Sequence, residues 1–420
     1  MSLVYQSGFR NYFESETETG LLPQGQNSPQ KLKNGLYAEL LSGSAFTQPR
    51  IDNLRTWLYR KRPSVSHGRF QPKAGLEKFI SSPDAGPTMP DQYRWLPEEL
   101  PTDSVSFLKS IKTMVCSGAL GSSGSNIHHY NCNQGMSNQY FMNADGEFLL
   151  VPQLGGLRVS TEMGILQVSP TEILVIPRGI KFSVELINKS ARGYLLENFG
   201  APLQLPDLGP IGSSGLAAPR DFQAPTAYAE SSEKRAELVY KFQGNFFSSD
   251  LSSSPLDVEA WHGNYYPYKY DLKKFNTINS VSFDHPDPSI FTVLSSPSNT
   301  PGKANLDFVI FPPRWMVAEN TFRPPYYHRN IMSEYMGLIH GVYDAKETGF
   351  LPGGASLHNS MTAHGPDSDV FKKASEAKLE PVYQADTLAF MFEGPHIFQP
   401  TKWALSKNLD TGYVDCWKDL

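Results

Sequence analysis

The sequence predicts a mainly β protein, and three observations support that prediction. Gly and Pro each occur 33 times in the 420 residues, and Tyr and Phe occur 20 and 25 times, so residues that favour turns and strands are abundant. Short apolar runs recur between the turn residues. Long stretches with the amphipathic period of a helix are few. Strands joined by turns are therefore favoured over a helical fold.

The strand signal is densest between residues 139 and 197. Most of the apolar runs there are bounded by Gly, Pro, Asn or Asp, as strands connected by hairpins are. The segment 164–187 is typical of half of a jelly roll, and because it contains no His we expect no metal site in it. The runs span residues 140–141, 148–151, 165–168, 173–176 and 182–187.

Two parts of the chain depart from this pattern. Residues 1–110 carry irregular Pro and Gly punctuation, and we interpret them as long loops with a few strands. The Ser-rich segment 247–255 is interpreted as a break between structured regions.

We place the domain boundary after an aromatic patch at residues 261–270. Residues 1–279 are then expected to form the N-terminal domain, and residues 280–420 the C-terminal domain. Apolar runs at 308–311 and 388–392 predict that the second domain is also built of strands.

The composition indicates a folded chain without a polymeric partner. Apolar residues make up 40% of the 420 positions, which is enough to bury sizeable cores. Charged residues make up only 19%, the formal net charge is -5, and the two signs are interspersed. These values argue against disorder and give no indication of nucleic-acid binding.

The cysteines and the N-terminus indicate a reducing compartment. The three cysteines, Cys116, Cys132 and Cys416, are widely separated and odd in number, so no disulfide framework is expected. They also lack the paired close spacing of a zinc site. The first ten residues contain neither the basic region nor the long apolar region of a secretion signal. No stretch approaches the run of about 20 apolar residues that a membrane span needs. We therefore expect a cytoplasmic protein without membrane contact.

Histidine is concentrated in the C-terminal part of the chain, where seven of the ten lie in the last 160 residues. Histidine is the commonest transition-metal ligand, so this clustering directs attention to that part of the sequence. The seven are His262, His285, His328, His340, His358, His364 and His396.

The sharpest pattern among them runs from His328 to Glu334 and continues to His364. In a straight strand, six steps of about 3.3 Å would hold His328 and Glu334 roughly 20 Å apart. The two residues can share an ion only if the chain turns between them. Arg329 and Asn330 are where we expect that turn.

Two imidazoles and one carboxylate on one face of an octahedral ion leave three positions open, as an iron(II) oxygenase requires. A closed structural zinc site would use four protein ligands instead. On spacing alone, turn histidines that only make hydrogen bonds are the commoner explanation, and the pattern leaves His358 competing with His364 for the third ligand position. His328 and Glu334 are therefore candidate ligands together with one of these two histidines.

Three further residues are candidates for contact with a substrate. His285 follows Asp284 in a polar turn, and its reference pKa of about 6.5 suits a general base for a phenol proton. A turn histidine bonded to that Asp is the plainer interpretation. Tyr343 is either a hydrogen-bond partner of a substrate oxygen or a packing residue. Arg329 either attracts a carboxylate or orients the histidine beside it.

Several long, ungapped motifs are far more specific than any three-residue pattern. They are Asn34-Gly35-Leu36-Tyr37-Ala38-Glu39, Leu205-Pro206-Asp207-Leu208-Gly209-Pro210-Ile211-Gly212, His262-Gly263-Asn264-Tyr265, Phe322-Arg323-Pro324-Pro325-Tyr326-Tyr327-His328-Arg329-Asn330, Gly349-Phe350-Leu351-Pro352-Gly353-Gly354 and His364-Gly365-Pro366-Asp367. Through them the chain resembles the homogentisate 1,2-dioxygenase family over most of its length.

The resemblance implies a fold and an activity together. It implies an N-terminal β-sandwich domain, a C-terminal cupin-like jelly-roll domain and a homohexamer built from two trimers. The implied enzyme uses Fe(II) and O2 to cleave the ring of homogentisate, which yields maleylacetoacetate in tyrosine and phenylalanine catabolism.

The resemblance also implies roles for individual residues. His328, Glu334 and His364 match the iron ligands of the family, and His285 matches its proposed base. Tyr343 and His364 match positions that contact the substrate. His358 matches a histidine near the site that is not a ligand. The segment 247–255 and the stretch after Glu393 match the family less well, which puts details of subunit contacts in doubt.

Overall fold

The computed structural model of the chain describes residues 3–346 and 348–420. Strands hold 38% of the residues and helices 9%, so the predicted fold class is confirmed as mainly β. No helix within the described ranges is long and apolar enough to cross a membrane.

The first twenty strands belong to the N-terminal part of the chain. They are β1 (Tyr5–Ser7), β2 (Phe13–Glu16), β3 (Tyr37–Ser42), β4 (Arg55–Arg60), β5 (Gln71–Pro72), β6 (Tyr93–Trp95), β7 (Lys112–Cys116), β8 (Ser125–Cys132), β9 (Gln139–Asn143), β10 (Glu147–Leu154), β11 (Leu157–Thr161), β12 (Gly164–Val168), β13 (Glu172–Ile176), β14 (Phe182–Leu186), β15 (Ala191–Asn198), β16 (Gln223–Pro225), β17 (Ala236–Phe242), β18 (Asn245–Leu251), β19 (Val258–Gly263) and β20 (Tyr268–Asp271).

Eight strands follow, and helices are short throughout. The strands are β21 (Thr292–Pro297), β22 (Ala304–Phe311), β23 (Arg314–Met316), β24 (Ser333–Gly341), β25 (Ala355–His358), β26 (Val382–Gln384), β27 (Thr387–Gly394) and β28 (Gln399–Pro400). The α-helices are α1 (Phe107–Ser110), α2 (Ser368–Glu376) and α3 (Lys402–Ser406). Single 3-10 turns span Lys33–Gly35, Gly209–Ile211, Pro219–Asp221, Leu272–Lys274, Pro288–Phe291 and Tyr413–Trp417.

The N-terminal part is a β-sandwich. A nine-stranded sheet in the order β1-β16-β20-β13-β10-β15-β8-β7-β28 packs against a seven-stranded sheet in the order β12-β11-β14-β9-β17-β18-β5. Aromatic side chains cross between them, because the ring of Phe148 on β10 lies 6.0 Å from that of Phe141 on β9 and 6.4 Å from that of Phe182 on β14. The two sheets therefore share one apolar core. A four-stranded sheet, β2-β19-β4-β3, completes this part.

The strand predictions for residues 139–197 are confirmed, since each predicted run lies within or overlaps one of β9, β10, β12, β13 and β14. The prediction of a break at 247–255 is wrong over residues 247–251. These residues belong to β18, where Ser249 pairs with Leu238 of β17. Small polar side chains are compatible with a strand when its partner supplies the apolar residues, so the Ser-rich composition was misleading there.

The C-terminal part contains an antiparallel six-stranded sheet in the order β21-β22-β27-β24-β25-β6. Successive residues of a strand point to opposite faces. Tyr335 of β24 therefore points to the N-terminal part, where its hydroxyl lies 2.8 Å from His129 Nε2. Its neighbours Glu334 and Met336 line a cavity on the other face. The sheet thus separates a packed core from an open cavity.

Each part of the chain contributes one strand to a sheet of the other part. β6 lies at the edge of the six-stranded sheet, where Trp95 pairs with Ala355. β28 lies at the edge of the nine-stranded sheet, where Pro400 pairs with Val115. The indole N–H of Trp95 also donates to the carbonyl of Ala404 at 2.9 Å. These exchanged strands tie the two parts of the chain together.

Arg60 joins separate segments of the N-terminal part through buried ion pairs. Its side chain is 1% exposed and contacts Glu162 at 2.7 Å, Asp257 at 2.9 Å and Glu39 at 3.1 Å. Glu162 also accepts from Lys181 at 2.9 Å. Asp257 has Arg60 alone as its ion-pair partner among the described residues. A buried network of this kind tolerates the loss of one member poorly.

Replacing Arg60 with Ala should lower the free energy of unfolding by about 3–5 kcal/mol, because Asp257 would remain buried without a counter-ion. Arg62 provides the matched control, since its pair with Glu233 at 2.9 Å is exposed to solvent. Arg62→Ala should cost less than about 1 kcal/mol. Urea unfolding followed by tryptophan fluorescence would compare the two variants. Equal losses in both would contradict the role assigned to Arg60.

Candidate metal centre

His328, Glu334 and His364 form a group of ligand-type side chains whose donor atoms all lie within 4.8 Å of one another. His328 Nε2 lies 3.6 Å from one oxygen of Glu334, and His364 Nε2 lies 3.0 Å from the other. Two atoms bound at right angles to one ion, each about 2.1 Å from it, lie about 3 Å apart. The spacing of the three groups therefore suits facial coordination of a metal ion.

The chain turns between His328 and Glu334, as the sequence predicts. The side-chain oxygen of Asn330 accepts from the backbone N–H of Met332 at 3.0 Å, and its carbonyl accepts from Met361 at 2.7 Å. β24 begins at Ser333, directly after this turn. Asn side chains commonly stabilise such turns by bonding to the backbone two residues later. Asn330 thus places Glu334 back beside His328.

Backbone hydrogen bonds hold the two histidines side by side. The N–H of His328 donates to the carbonyl of His364 at 2.9 Å, and the N–H of His364 donates to that of His328 at 3.1 Å. The imidazole centroids are 4.2 Å apart. An antiparallel pair of this kind fixes both side chains on the same face. The geometry of the group is therefore set by main-chain contacts.

The imidazoles are also oriented by carbonyl groups. Nδ1 of His328 donates to the carbonyl of Tyr326 at 2.8 Å, and Nδ1 of His364 donates to that of Thr362 at 2.9 Å. A carbonyl oxygen only accepts, so in each neutral ring the lone pair is on Nε2. Both Nε2 atoms face Glu334. This orientation is the one that metal-binding histidines adopt.

The carboxylate of Glu334 balances charge within the group. Its oxygen 3.6 Å from Nε2 raises the pKa of His328. Burial opposes ionisation of Glu334, but its bonds to His328 and His364 lower its pKa below the ordinary value of a carboxyl group. A metal ion would take the position of a proton between these groups, because metal ligands bind in their deprotonated forms. The donor set therefore fits a divalent cation.

A second carboxylate lies beside this group. Glu393 of β27 pairs directly with Glu334 of β24. The amide nitrogen of Asn330 donates to both carboxylates, at 2.6 Å to Glu393 and 3.0 Å to Glu334. Burial, reinforced by the charge of Glu334, raises the pKa of Glu393 to about 7. Asn330 is thus the contact between two carboxylates that would otherwise repel each other.

The three candidate ligands open on a cavity of about 480 Å³, and Tyr343 and His285 also line it. The ring of Tyr343 packs at 5.6 Å from Phe311 and at 6.1 Å from Phe350. Burial raises the pKa of Tyr343 well above its ordinary value, so its hydroxyl keeps its proton. No described residue accepts a hydrogen bond from that hydroxyl. It is therefore free to donate to a molecule in the cavity.

His285 lies in an irregular segment of the cavity wall. Its Nε2 donates to the carbonyl of Arg323, which leaves Nδ1 as the unprotonated nitrogen of the neutral ring. Asp284 accepts from the backbone N–H of His285 at 2.8 Å. The expected contact with this Asp thus involves the backbone, and the imidazole remains available as an acceptor.

The structure places His358 and Arg329 differently from the three candidate ligands. His358 stacks on His364 with 4.0 Å between ring centroids, and its Nε2 lies 2.9 Å from the hydroxyl of Tyr413. It is absent from the group of donor atoms within 4.8 Å. Arg329 is exposed at the cavity rim and pairs with no carboxylate of the described residues.

The chain matches two adjoining family models. Residues 4–272 match the model described as Homogentisate 1,2-dioxygenase N-terminal, and residues 273–420 match Homogentisate 1,2-dioxygenase C-terminal. The chain belongs to the homogentisate 1,2-dioxygenase family. The resemblance seen in the sequence motifs is therefore confirmed, and the chain is an enzyme of that family.

Two relatives named homogentisate 1,2-dioxygenase align with the full length of this chain. One, from Pseudomonas fluorescens strain Pf0-1, is 56% identical over 421 residues, which cover 100% of this chain and 97% of the relative. The other, from strain Pf-5 of the same species, is 55% identical and 96% covered. Among solved structures, a cupin 2 conserved barrel domain protein from Leptotrichia buccalis has a TM-score of 0.28 and 8% identity, covering 70% of this chain and 91% of that one.

Among the cavity residues of this dioxygenase that sequence reasoning missed are Glu393, Lys346 and Tyr413. Glu393 carried one usable signal, because it is a single acid that ends the apolar run at 388–392. Lys346 and Tyr413 had none, since they come together only through the fold. The ring of Tyr413 lies 5.4 Å from the ammonium group of Lys346.

Replacing Asn330 with Ala should weaken the binding of a divalent metal by about 10–100-fold, because it removes the amide between Glu334 and Glu393 and loosens the turn. Competition with a chromophoric chelator for Co2+ would measure the affinity. Asn299→Ala is the matched control, since Asn299 is exposed in a loop. Wild-type affinity in Asn330→Ala would show that the amide does not orient Glu334.

Proposed function

We propose that the chain is an iron(II)-dependent dioxygenase that converts homogentisate and O2 to maleylacetoacetate in tyrosine and phenylalanine catabolism. The observation that carries the proposal is the convergence of His328, Glu334 and His364 on one cavity in a chain of this family. Fe(II) held by these three residues would supply open positions at which substrate and O2 meet and exchange electrons. Both oxygen atoms enter the product, so the reaction needs no other reductant.

Apolar side chains give the cavity a place for an aromatic ring. Phe311, Phe350, Met336 and Met391 line it together with the candidate ligands. Apolar walls with a few polar groups are typical of small-molecule sites. We assign Tyr343 and His364 to contact with the substrate, where the Tyr343 hydroxyl would donate a hydrogen bond to a substrate oxygen.

His285 is the proposed general base. Its Nδ1 would accept the proton of the phenol group, while the Nε2–H bond to Arg323 holds the ring in place. The same carbonyl stabilises the imidazolium that forms, because it accepts from a charged donor. Removing the phenol proton makes the ring more electron-rich and therefore more reactive towards O2.

We also propose the assembly, domain division and location that the family suggests. A homohexamer of two trimers is supported by apolar side chains exposed near the cavity rim, since a neighbouring subunit would cover them. These are Tyr326, Tyr327, Ile331 and Met361, between 42% and 61% exposed. The proposed domains remain residues 1–279 and 280–420.

We propose a cytoplasmic location, because the three cysteines are free thiols, as is usual in a reducing compartment.

Oxygen uptake by protein loaded anaerobically with Fe(II) tests the function directly. Adding homogentisate should consume one O2 per substrate and produce the ultraviolet absorbance of the ring-opened product. Glu334→Ala should lose retained iron and activity together, whereas Glu376→Ala, at the exposed end of α2, should keep both. Bound iron without oxygen uptake would refute the proposed substrate. A fully active Glu334→Ala enzyme would refute the ligand assignment.

Replacing His285 with Phe should slow turnover by about 100-fold or more and leave iron bound, because only the proton acceptor is lost. Steady-state oxygen uptake and metal analysis of the same sample would separate the two effects. His67→Phe is the control, since His67 is exposed in the N-terminal part. Unchanged turnover in His285→Phe would remove His285 from the reaction.

A further inference from the structure

Lys346 is a buried cation on the wall of the cavity. The residue is 6% exposed, and its backbone N–H donates to the carbonyl of Tyr343 at 3.0 Å. Its ammonium group lies 3.5 Å from the sulfur of Cys416 and 4.1 Å from the ring centre of Trp417. No carboxylate of the described residues lies within 4.0 Å of it. The positive charge is therefore held by a thiol and aromatic rings.

The other cations of the cavity wall are arranged differently. Arg314 is paired with Asp344 at 2.7 Å. Arg94 lies 3.8 Å from a carboxylate oxygen of Asp410. Arg329 has no carboxylate partner among the described residues, but it is exposed to solvent, which screens its charge. Lys346 alone combines burial with the lack of a carboxylate partner within the described part of the wall.

A buried ammonium group without a counter-ion is costly, and it gains strongly from an anion that reaches it. An ammonium group has three N–H donors. The contact with Cys416 uses one of them. The described residues accept no hydrogen bond from the other two. Homogentisate offers one matching group, since the carboxylate of its side chain is its anionic group at neutral pH.

We propose that Lys346 binds the side-chain carboxylate of the substrate and thereby selects phenols with an anionic side chain over neutral analogues. The inference rests on the proposed function and deepens it. The aromatic ring of the substrate would lie against the apolar wall of the cavity, while Lys346 holds the carboxylate at the end of the substrate's side chain. Cys416 and Trp417 act as positioning residues, because they hold the ammonium group in place from the C-terminal 3-10 turn.

The charge of Lys346 also depends on pH. Burial lowers its pKa to about 8, and the groups that act on it are Cys416, Arg94, Asp367 and His358. At pH 7 the ammonium form prevails and can pair with a carboxylate. Above about pH 8 the free enzyme loses this proton, so the KM for an anionic substrate should rise.

The test compares homogentisate with its uncharged amide, 2,5-dihydroxyphenylacetamide, in the iron-loaded enzyme. Lys346→Met should lower kcat/KM for homogentisate by about 100-fold, mainly through KM, and change kcat/KM for the amide by less than about 3-fold. Lys346→Arg should recover part of the loss and remove the rise of KM above pH 8, because arginine stays charged. Lys378→Met, whose side chain is 87% exposed, is the control and should match the wild type.

Binding measured without oxygen separates this inference from the proposed function. Calorimetric titration of homogentisate into the anaerobic iron-loaded proteins should show binding to the wild type and about 100-fold weaker binding to Lys346→Met. That result would support the carboxylate contact even if the wild type consumed no oxygen. Equal losses for the acid and the amide, with full iron content, would overturn the inference.

Discussion

The backbone pairing of His328 with His364 is the constraint on which the candidate metal centre depends. These residues are 36 positions apart, yet their main-chain hydrogen bonds hold the imidazoles 4.2 Å apart. The turn at Asn330 then returns the chain so that β24 starts one residue before Glu334. If the segment between them were straight, His328 and Glu334 would lie roughly 20 Å apart. Backbone hydrogen bonds thus determine which ligand-type side chains meet at the cavity.

The alternation of the C-terminal sheet distributes chemistry and packing between two faces. On β27, Phe390 packs on Tyr194 and Phe392 on Phe308, whereas Met391 and Glu393 line the cavity. Glu334 and Glu393 therefore lie on strands of the sheet, and Lys346 lies in a loop of the cavity wall. A substrate with distinct phenol and carboxylate ends would meet different polar groups at these two places, which favours one orientation of binding.

Sequence reasoning predicted those parts of the structure that depend on local sequence patterns. It predicted the strands around β10 and β13 and the turn after His328, since turn residues and apolar runs are local signals. Local spacing left His358 and His364 as alternatives for the third ligand, and only the family resemblance implied His364. It missed the contact of Glu393 with Asn330 and that of Lys346 with Cys416. Those contacts arise from strand register and from the C-terminal segment folding back, and no spacing in the sequence records either.

The exchanged strands have a consequence for how the protein reaches its folded state. β6 is made long before its partner β25, and β7 long before its partner β28. The β7 edge of the nine-stranded sheet therefore stays open until β28 is made, and open edges favour mispairing with other chains. Contacts between such distant segments also make folding slow. Pairing of β28 with β7 therefore closes the edge of the N-terminal sheet only after the C-terminal part has been made, which couples the folding of the two parts.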